Sequence, residues 1–357
     1  ISYHIIKKKA GGGINFTSSH NPAEYNGLKF SPSHGGPAEP EVTSKIEKEI
    51  NKLAGKLDFE QGLSHLPAES GRMGLSLLSD NCIENESLKV KVNSDGSLNL
   101  EDKVSGKTYY NLNYFEDSGD AGDEYNYSYP KVDSLITTLN KPARIQILTS
   151  GTYPNKDRPS PFHIREGSNI ASLAITHEMI VPEELKEDRT GRSKKLIPLY
   201  VRSLISLHRG SKRVDVSTSV DNRAKDHRLR AVFPSGIKTD YSWADSKFDV
   251  VKRPIKTELR TKEHLEEPSK THPYDSFIDL ADSDKGLAII SEGLTEFEVQ
   301  DNPEREVAIT LIRCVGDLSR EDLLTRPGGA GWPQKTPDAQ CQGDYTFNYS
   351  IYPHTGD

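Results

Sequence analysis

From residue 88 onward the chain is written in short runs where apolar and polar residues alternate, each cut off by Gly, Pro, Asn or Asp. That pattern constrains the fold more than any other feature. A period of two places one side of a segment on a core and the other in water, which is a half-buried strand. Leu88-Lys89-Val90-Lys91-Val92 alternates, Asn93-Ser94-Asp95-Gly96 turns, and Ser97-Leu98-Asn99-Leu100 alternates again, so a hairpin is predicted. Further strands are predicted at 144–149, 170–175, 197–207, 214–220, 228–233, 287–291, 307–313 and 347–352. Many short strands with few helical patterns argue for a large antiparallel β-sandwich, two sheets curled over one another.

The first residues have a different texture. Residues 1–62 read as a small α/β fragment. Gly11-Gly12-Gly13 precedes the alternation Ile14-Asn15-Phe16, and Pro40 opens a segment with Val42, Ile46, Ile50, Leu53 and Leu57 at helical spacing. Residues 63–78, with Gly62, Pro67 and Gly71 in and around them, read as a linker, leaving 79–357 as the β-rich body.

Composition excludes several classes. The net charge is −7, and the only basic block is Lys7-Lys8-Lys9, so nucleic acid is not an expected partner. No apolar run reaches the roughly 20 residues that span a bilayer. There is no secretory h-region at the start, and Cys82, Cys314 and Cys341 are odd in number and far apart. That spacing argues against a disulfide framework or a cysteine zinc site and fits a cytoplasmic setting, with each thiol a small buried apolar residue.

One stretch gathers chemistry-bearing residues. Phe115 to Pro130 holds Glu116, Asp117, Asp120, Asp123, Glu124, Tyr125, Tyr127 and Tyr129 around Gly119 and Gly122. It reads either as an acidic solvated loop or as a surface offering carboxylates to hydroxyls and aromatic faces to sugar rings. The spacing of Asp117, Asp120 and Asp123 does not match a calcium loop of alternating ligands. Asp226-His227, beside Arg228, Arg230 and Lys225, reads as a network on a sheet surface. His20, His34, His65, His264 and His272 lack metal-ligand spacing. Trp332, in the Pro327–Pro333 loop, reads either as a stacking platform or as a loop anchor. Ser19-His20-Asn21, in a turn, reads as loop chemistry on residue type alone.

Two resemblances extend this reading. Gly12-Gly13-Ile14-Asn15-Phe16-Thr17-Ser18-Ser19-His20-Asn21-Pro22, with Glu24 to Phe30 and Gly35-Gly36-Pro37-Ala38, resembles the phosphoserine loop of phosphoglucomutases and phosphomannomutases. The resemblance implies that Ser19 carries a phosphoryl group, although Ser18 stands where that family usually has Ala. The magnesium-holding Asp-Gly-Asp-x-Asp-Arg motif of that family is not found in these 357 residues. Phosphoryl transfer depends on positioning and on cations, so a displaced mutase fragment is expected.

From about residue 80 the chain resembles the C-terminal β-domain of glycoside hydrolase family 38, nearest the α-mannosidase and mannosylglycerate hydrolase branch. The residues that carry this are 80–90, 96–98, 102–103, 109–113, 115–130, 221–230, 248–254 and 323–328. The resemblance implies a fold like the galactose mutarotase supersandwich. It also implies a retaining mechanism whose zinc, held by two Asp and two His, and whose nucleophile belong mainly to a different, N-terminal domain. In the region it does cover, Tyr125 matches a tyrosine that bonds the sugar, Arg253 an arginine on the substrate side, and Asp123 stands beside Tyr125 on the rim. For Tyr125 a strand-edge aromatic and for Arg253 a surface ion pair are the structural alternatives.

The expectation is therefore a mainly β chain that binds carbohydrate (mannosides), needs no cofactor by itself, and is catalytically silent alone. Zinc and magnesium belong to the intact glycosidase and mutase families. A phosphohexomutase fragment acting through Ser19 and a non-catalytic carbohydrate-binding or assembly module are the alternatives, with homo-oligomerisation left open.

Overall fold

The computed structural model describes residues 12–17, 27–32, 76–79, 81–147 and 170–356, with helical backbone at residues 41, 42, 44, 45 and 48. The chain divides into two compact units, Ile1–Gly71 and Arg72–Asp357. In the first, β1 (Gly12–Thr17) pairs antiparallel with β2 (Gly27–Pro32). The helical positions fall inside the segment whose spacing predicts a helix.

The second unit is built from strands throughout. β3 (Ser76–Ser79), β4 (Cys82–Glu84), β5 (Leu88–Val92), β6 (Leu98–Asp102) and β7 (Lys107–Leu112) form a five-stranded meander. β8 (Tyr114–Gly119) and β9 (Ile136–Thr137) leave it for a second sheet, and β10 (Arg144–Ile147), β11 (Ile170–Pro182), β12 (Leu196–His208) and β13 (Val214–Asn222) open a third. β14 (His227–Pro234) returns to the second sheet, whereas β15 (Tyr241–Asp245) and β16 (Val250–Pro254) join the third. The chain then alternates: β17 (His272–Pro273), β20 (Glu296–Val299) and β21 (Glu306–Arg313) go to the second sheet. β18 (Phe277–Ala281), β19 (Gly286–Glu292) and β22 (Gly343–His354) go to the third. The finished orders are β10-β11-β12-β13-β22-β19-β18-β15-β16 and β17-β20-β21-β14-β8-β9.

Alternation in sequence becomes alternation in burial. β13 reads buried at Val214, Val216, Thr218, Val220 and Asn222, with less buried residues between them. Its neighbours follow suit, so the nine-stranded sheet turns one face to the core. That face meets the six- and five-stranded sheets in a single cluster including Ile175, Val201, Val216, Ile289, Phe115, Phe233, Phe297, Val90 and Leu100. The large antiparallel sandwich expected from the sequence is what forms.

Three contacts show how the layers lock. Phe233 meets Tyr349 edge to face at 5.9 Å between ring centres. The Tyr349 hydroxyl donates to Asn113 Oδ1 at 2.7 Å and lies 2.7 Å from the Thr218 hydroxyl. Tyr109 donates to the Gly286 carbonyl at 2.6 Å, tying the meander to the nine-stranded sheet. The β5–β6 turn shows why its glycine is there: Gly96 has φ +80°, and a Cβ on it would stand 2.3 Å from His177 Nε2.

Phe233 is fully buried between the layers. Phe233→Ala should therefore destabilise the fold by about 3–5 kcal/mol, transfer and cavity terms together. The urea midpoint reads this directly, and an unchanged midpoint would mean the layers do not close at this ring.

Candidate functional site

The Phe115–Pro130 stretch begins as strand and continues as loop. Its first five residues belong to β8, which is buried along its whole length and hydrogen-bonded between β14 and β9. The carboxylates there are not solvated, which corrects the acidic-loop reading. Glu116 faces the outer side of the six-stranded sheet, where it pairs with Arg230, which also pairs with Glu298. Burial alone would weaken the Arg230 cation, but the two glutamates more than offset this and raise its pKa. Asp117 points to the opposite side, held between Arg192 and His227.

His227 is fully buried, with Nε2 3.0 Å from Asn222 Oδ1. The sequence reading put the Asp226-His227 pair on a sheet surface. The structure instead makes His227 an interior link, because Asp117 lies diagonally across the β8–β14 ladder on the same face.

The loop after β8 is wound onto arginines. Asp120, fully buried, accepts from Arg313 Nε at 2.7 Å and from the Gly122 amide at 2.8 Å. Burial pushes the Asp120 carboxyl up, while Arg313 and the Gly122 amide pull it back. Arg313 also donates to the Asp123 and Asn126 carbonyls at 2.5 and 2.7 Å, so one guanidinium closes the loop's two ends. Asp123 Oδ1 accepts from the amides of Tyr125 and Asn126 at 3.0 and 2.9 Å. Its Oδ2 accepts from Arg326 and from the Arg320 amide at 2.6 and 2.8 Å. Burial would raise the Asp123 pKa, but these bonds outweigh it and hold the carboxyl below the usual range.

What the loop leaves in water is Glu124 and two aromatic residues, Tyr125 and Tyr129. Tyr125 is 55% exposed and sits in a bend rather than on a strand edge. It lies against the chain at Gly331, where a Cβ would come within 2.8 Å of its hydroxyl. Trp332, next in sequence, is 81% exposed. Tyr127 is turned inward over Arg228, 3.6 Å from guanidinium carbon to ring centre, and Tyr129 donates to Glu267 at 3.1 Å. The loop is thus a braced turn presenting Tyr125 beside Trp332.

Of the residues singled out from sequence, the structure brings Asp123 and Tyr125 together, with the buried carboxylate fixing the turn that exposes the phenol. Arg253 is half-buried on β16, at the far edge of the nine-stranded sheet, where Nη2 donates to the Pro273 carbonyl at 3.5 Å. Among the described residues no hydrogen bond or ion pair joins it to Tyr125. Ser19 lies outside the described residues. Cys82 and Cys314 are buried as expected, but Cys341 is half-buried, and a hydrogen bond with Cys314 pulls its thiol down to about 7. Among the described residues no group of three or more His, Cys, Asp or Glu is placed to hold a metal. The zinc of the glycosidase resemblance therefore finds no ligand set among the described residues.

Sequence reasoning missed the arginines. Arg192, Arg313 and Arg326 lie far along the chain from the carboxylates they serve, and only Arg326 fell within a recognisable motif. The one available signal was charge accounting, because so many carboxylates on strand-like residues require cations brought from elsewhere.

Two family descriptions match the chain. The "Glycosyl hydrolases family 38 C-terminal domain" matches residues 83–317. The "Phosphoglucomutase/phosphomannomutase, alpha/beta/alpha domain I" matches residues 1–56. A "Putative mannosylglycerate hydrolase" of Halalkalibacterium halodurans is 31% identical over 293 residues, covering 78% of this chain and 29% of that protein. The crystal structure of an α-mannosidase from Enterococcus faecalis superposes with a TM-score of 0.63 at 32% identity, again covering 78% of this chain and 29% of that one. A phosphoglucomutase of Entamoeba histolytica is 51% identical over 53 residues, 14% of this chain and 10% of that protein. The chain spans less than a third of each of these relatives.

Two outcomes test the braced loop. Arg313→Met leaves Asp120 buried without its cation and should cost about 3–5 kcal/mol in urea unfolding; a loss below about 1 kcal/mol would rule out a brace at Arg313. Asp123, with its folded pKa lowered, stabilises above the unfolded value of about 3.9 and loses that contribution as pH falls through the folded value. Asp123→Asn should therefore be less stable than the parent at pH 7, and the gap should close below about pH 4.

Proposed function

The chain belongs to glycosyl hydrolase family 38 through its C-terminal domain, and from that premise we propose that it supplies a sugar-facing rim for cleavage of α-mannosidic or related bonds while performing no cleavage alone. The observation that carries this is the fate of the carboxylates. Retaining hydrolysis needs one carboxylate free to attack and a second carboxyl free to give and take a proton. Asp117, Asp120 and Asp123 are each fully buried and bound to an arginine. None of them is available for either role. Tyr125 and Trp332 are available, and an exposed phenol beside an exposed indole suits the apolar face and the hydroxyls of a sugar ring.

Mannosides are the expected ligands, in keeping with the names of the relatives. In this reading Tyr125 contacts the sugar, Asp123 positions Tyr125, and Arg253 serves a separate part of the substrate-side surface. The purified 357-residue chain should release no mannose from an aryl α-mannoside even with added zinc, and turnover would overturn the proposal of silence. Mannose titrated into the millimolar range should perturb Trp332 fluorescence, with Trp332→Ala abolishing the change. Gly331→Ala, whose Cβ would push the Tyr125 ring away, should weaken binding about tenfold. A flat titration would reject the rim.

A second reading rests on the match of residues 1–56 to the mutase domain and attaches to Ser19. Incubation with glucose 1,6-bisphosphate should then add one phosphate to the intact mass, and Ser19→Ala should remove it.

A further inference from the structure

Cys314 and Cys341 are far apart in the sequence, yet the fold brings them together. Cys314 directly follows β21, and Cys341 lies between the short 3-10 turn Pro337–Gln340 and β22. The chain leaving β21 and the chain entering β22 run side by side. The Val315 amide donates to the Ala339 carbonyl at 3.1 Å, and the Thr336 amide donates to the Gly316 carbonyl at 3.0 Å. Cys341 Sγ lies 3.8 Å from the carbonyl of Arg313, the residue just before Cys314.

Asn222 spans the two residues. Its Nδ2 donates to Cys314 Sγ at 3.3 Å and to the Cys341 carbonyl at 2.8 Å. Its Oδ1 accepts from the Ala224 amide at 3.1 Å and lies 3.0 Å from His227 Nε2, which fixes the orientation of the amide. The two thiols share a hydrogen bond, and it separates them in acidity. It pulls the Cys341 thiol down to about 7 against the opposing effect of burial. The same bond pushes the Cys314 thiol well up, and burial adds to that.

The pair is unequal in access as well. Cys314 is fully buried, whereas Cys341 is half-buried and reaches solvent. Thiolates, not thiols, are the nucleophiles in thiol oxidation. Cys341, the more acidic and the more exposed, is therefore the one an oxidant meets first, with Cys314 behind it to resolve the product. Cys82 supplies an internal control: it is buried on β4, and burial raises its pKa.

We propose that Cys341 and Cys314 form a site of reversible oxidation, which a hydroperoxide converts into a disulfide closing the segment 315–340 that carries Arg320, Arg326 and Trp332. The Cys341 thiolate attacks one oxygen of hydrogen peroxide, so that an S–O bond forms and the O–O bond breaks. The second oxygen leaves as hydroxide and takes up the proton that Cys341 released, giving water. The sulfur has passed two electrons to the peroxide and is now a sulfenic acid. Cys314 sulfur then attacks Cys341 sulfur: the S–S bond forms, the S–O bond breaks, and the departing hydroxide takes the Cys314 proton as a second water. A dithiol reductant returns both thiols. The site is independent of the sugar-facing rim, so its failure leaves that reading standing and the reverse also holds.

The test treats the reduced full chain with hydrogen peroxide, alkylates the remaining thiols under denaturing conditions, and maps the peptides by mass. The Cys314–Cys341 crosslink should form within one chain, with Cys82 recovered alkylated, and dithiothreitol should restore both thiols. Cys314→Ser, which keeps a hydroxyl donor beside Cys341, should stop at a Cys341 sulfenic acid that dimedone labels. Cys341→Ser should slow oxidation of Cys314 by about tenfold or more. The crosslink is read on the parent chain, so the test stays decisive if a variant fails to fold. Any other main product of the parent overturns the proposal: Cys314 and Cys341 both alkylated, a crosslink through Cys82 or between chains, or an overoxidised Cys341. So does oxidation of Cys314 at the parental rate in Cys341→Ser.

Discussion

An ionised side chain in the interior of a β-sandwich is costly without a compensating partner, and this chain supplies such partners repeatedly along two adjacent strands, as ion pairs or, for Arg228, as the face of Tyr127. β8 and β14 are buried from end to end, yet they carry Glu116, Asp117, His227, Arg228 and Arg230. Desolvation makes each such group costly by itself, and removing one partner of a buried pair is far worse than never having had the pair. The outer face resolves this with Glu116, Arg230 and Glu298 linked across β8, β14 and β20. The inner face uses Arg192, Asp117 and His227. A slip of one residue between β8 and β14 would exchange these faces and strand every charge among apolar neighbours. The ion pairs therefore act on register at least as much as on stability.

The same constraint explains what could be read from the sequence. The β5–β6 hairpin was legible because its alternation and its Asn-Ser-Asp-Gly turn are local. Arg228 to Phe233 was legible as a strand because Leu229, Ala231 and Phe233 keep a period of two. β8 was not, since Glu116-Asp117-Ser118 looks like a turn to any local rule. What makes it a strand is Arg192, 75 residues on, and His227, 110 residues on. β15 and β16 were missed for another reason: they lie at the edge of the nine-stranded sheet, where one face stays wet and the apolar signal is thin. The site divides the same way. Tyr125 was singled out through the family resemblance, while the arginines that hold its loop were not singled out at all.

Bracing changes what kind of recognition the loop can perform. With Asp120 and Asp123 buried against Arg313 and Arg326, those two carboxylates offer nothing to cations or basic partners, and Glu124 is the carboxylate the loop leaves exposed. Long-range attraction is exchanged for shape. A turn stitched by Asp123 to two amides and by Arg313 to two carbonyls loses little further freedom when a ligand arrives. Contacts to exposed rings on such a turn are then available to binding without the ordering cost a floppy loop would impose. Weak, stacking-type contacts to a sugar become worthwhile only on a support of this kind. The arginines far along the chain are thus what would let the exposed Tyr125 act as the proposed rim.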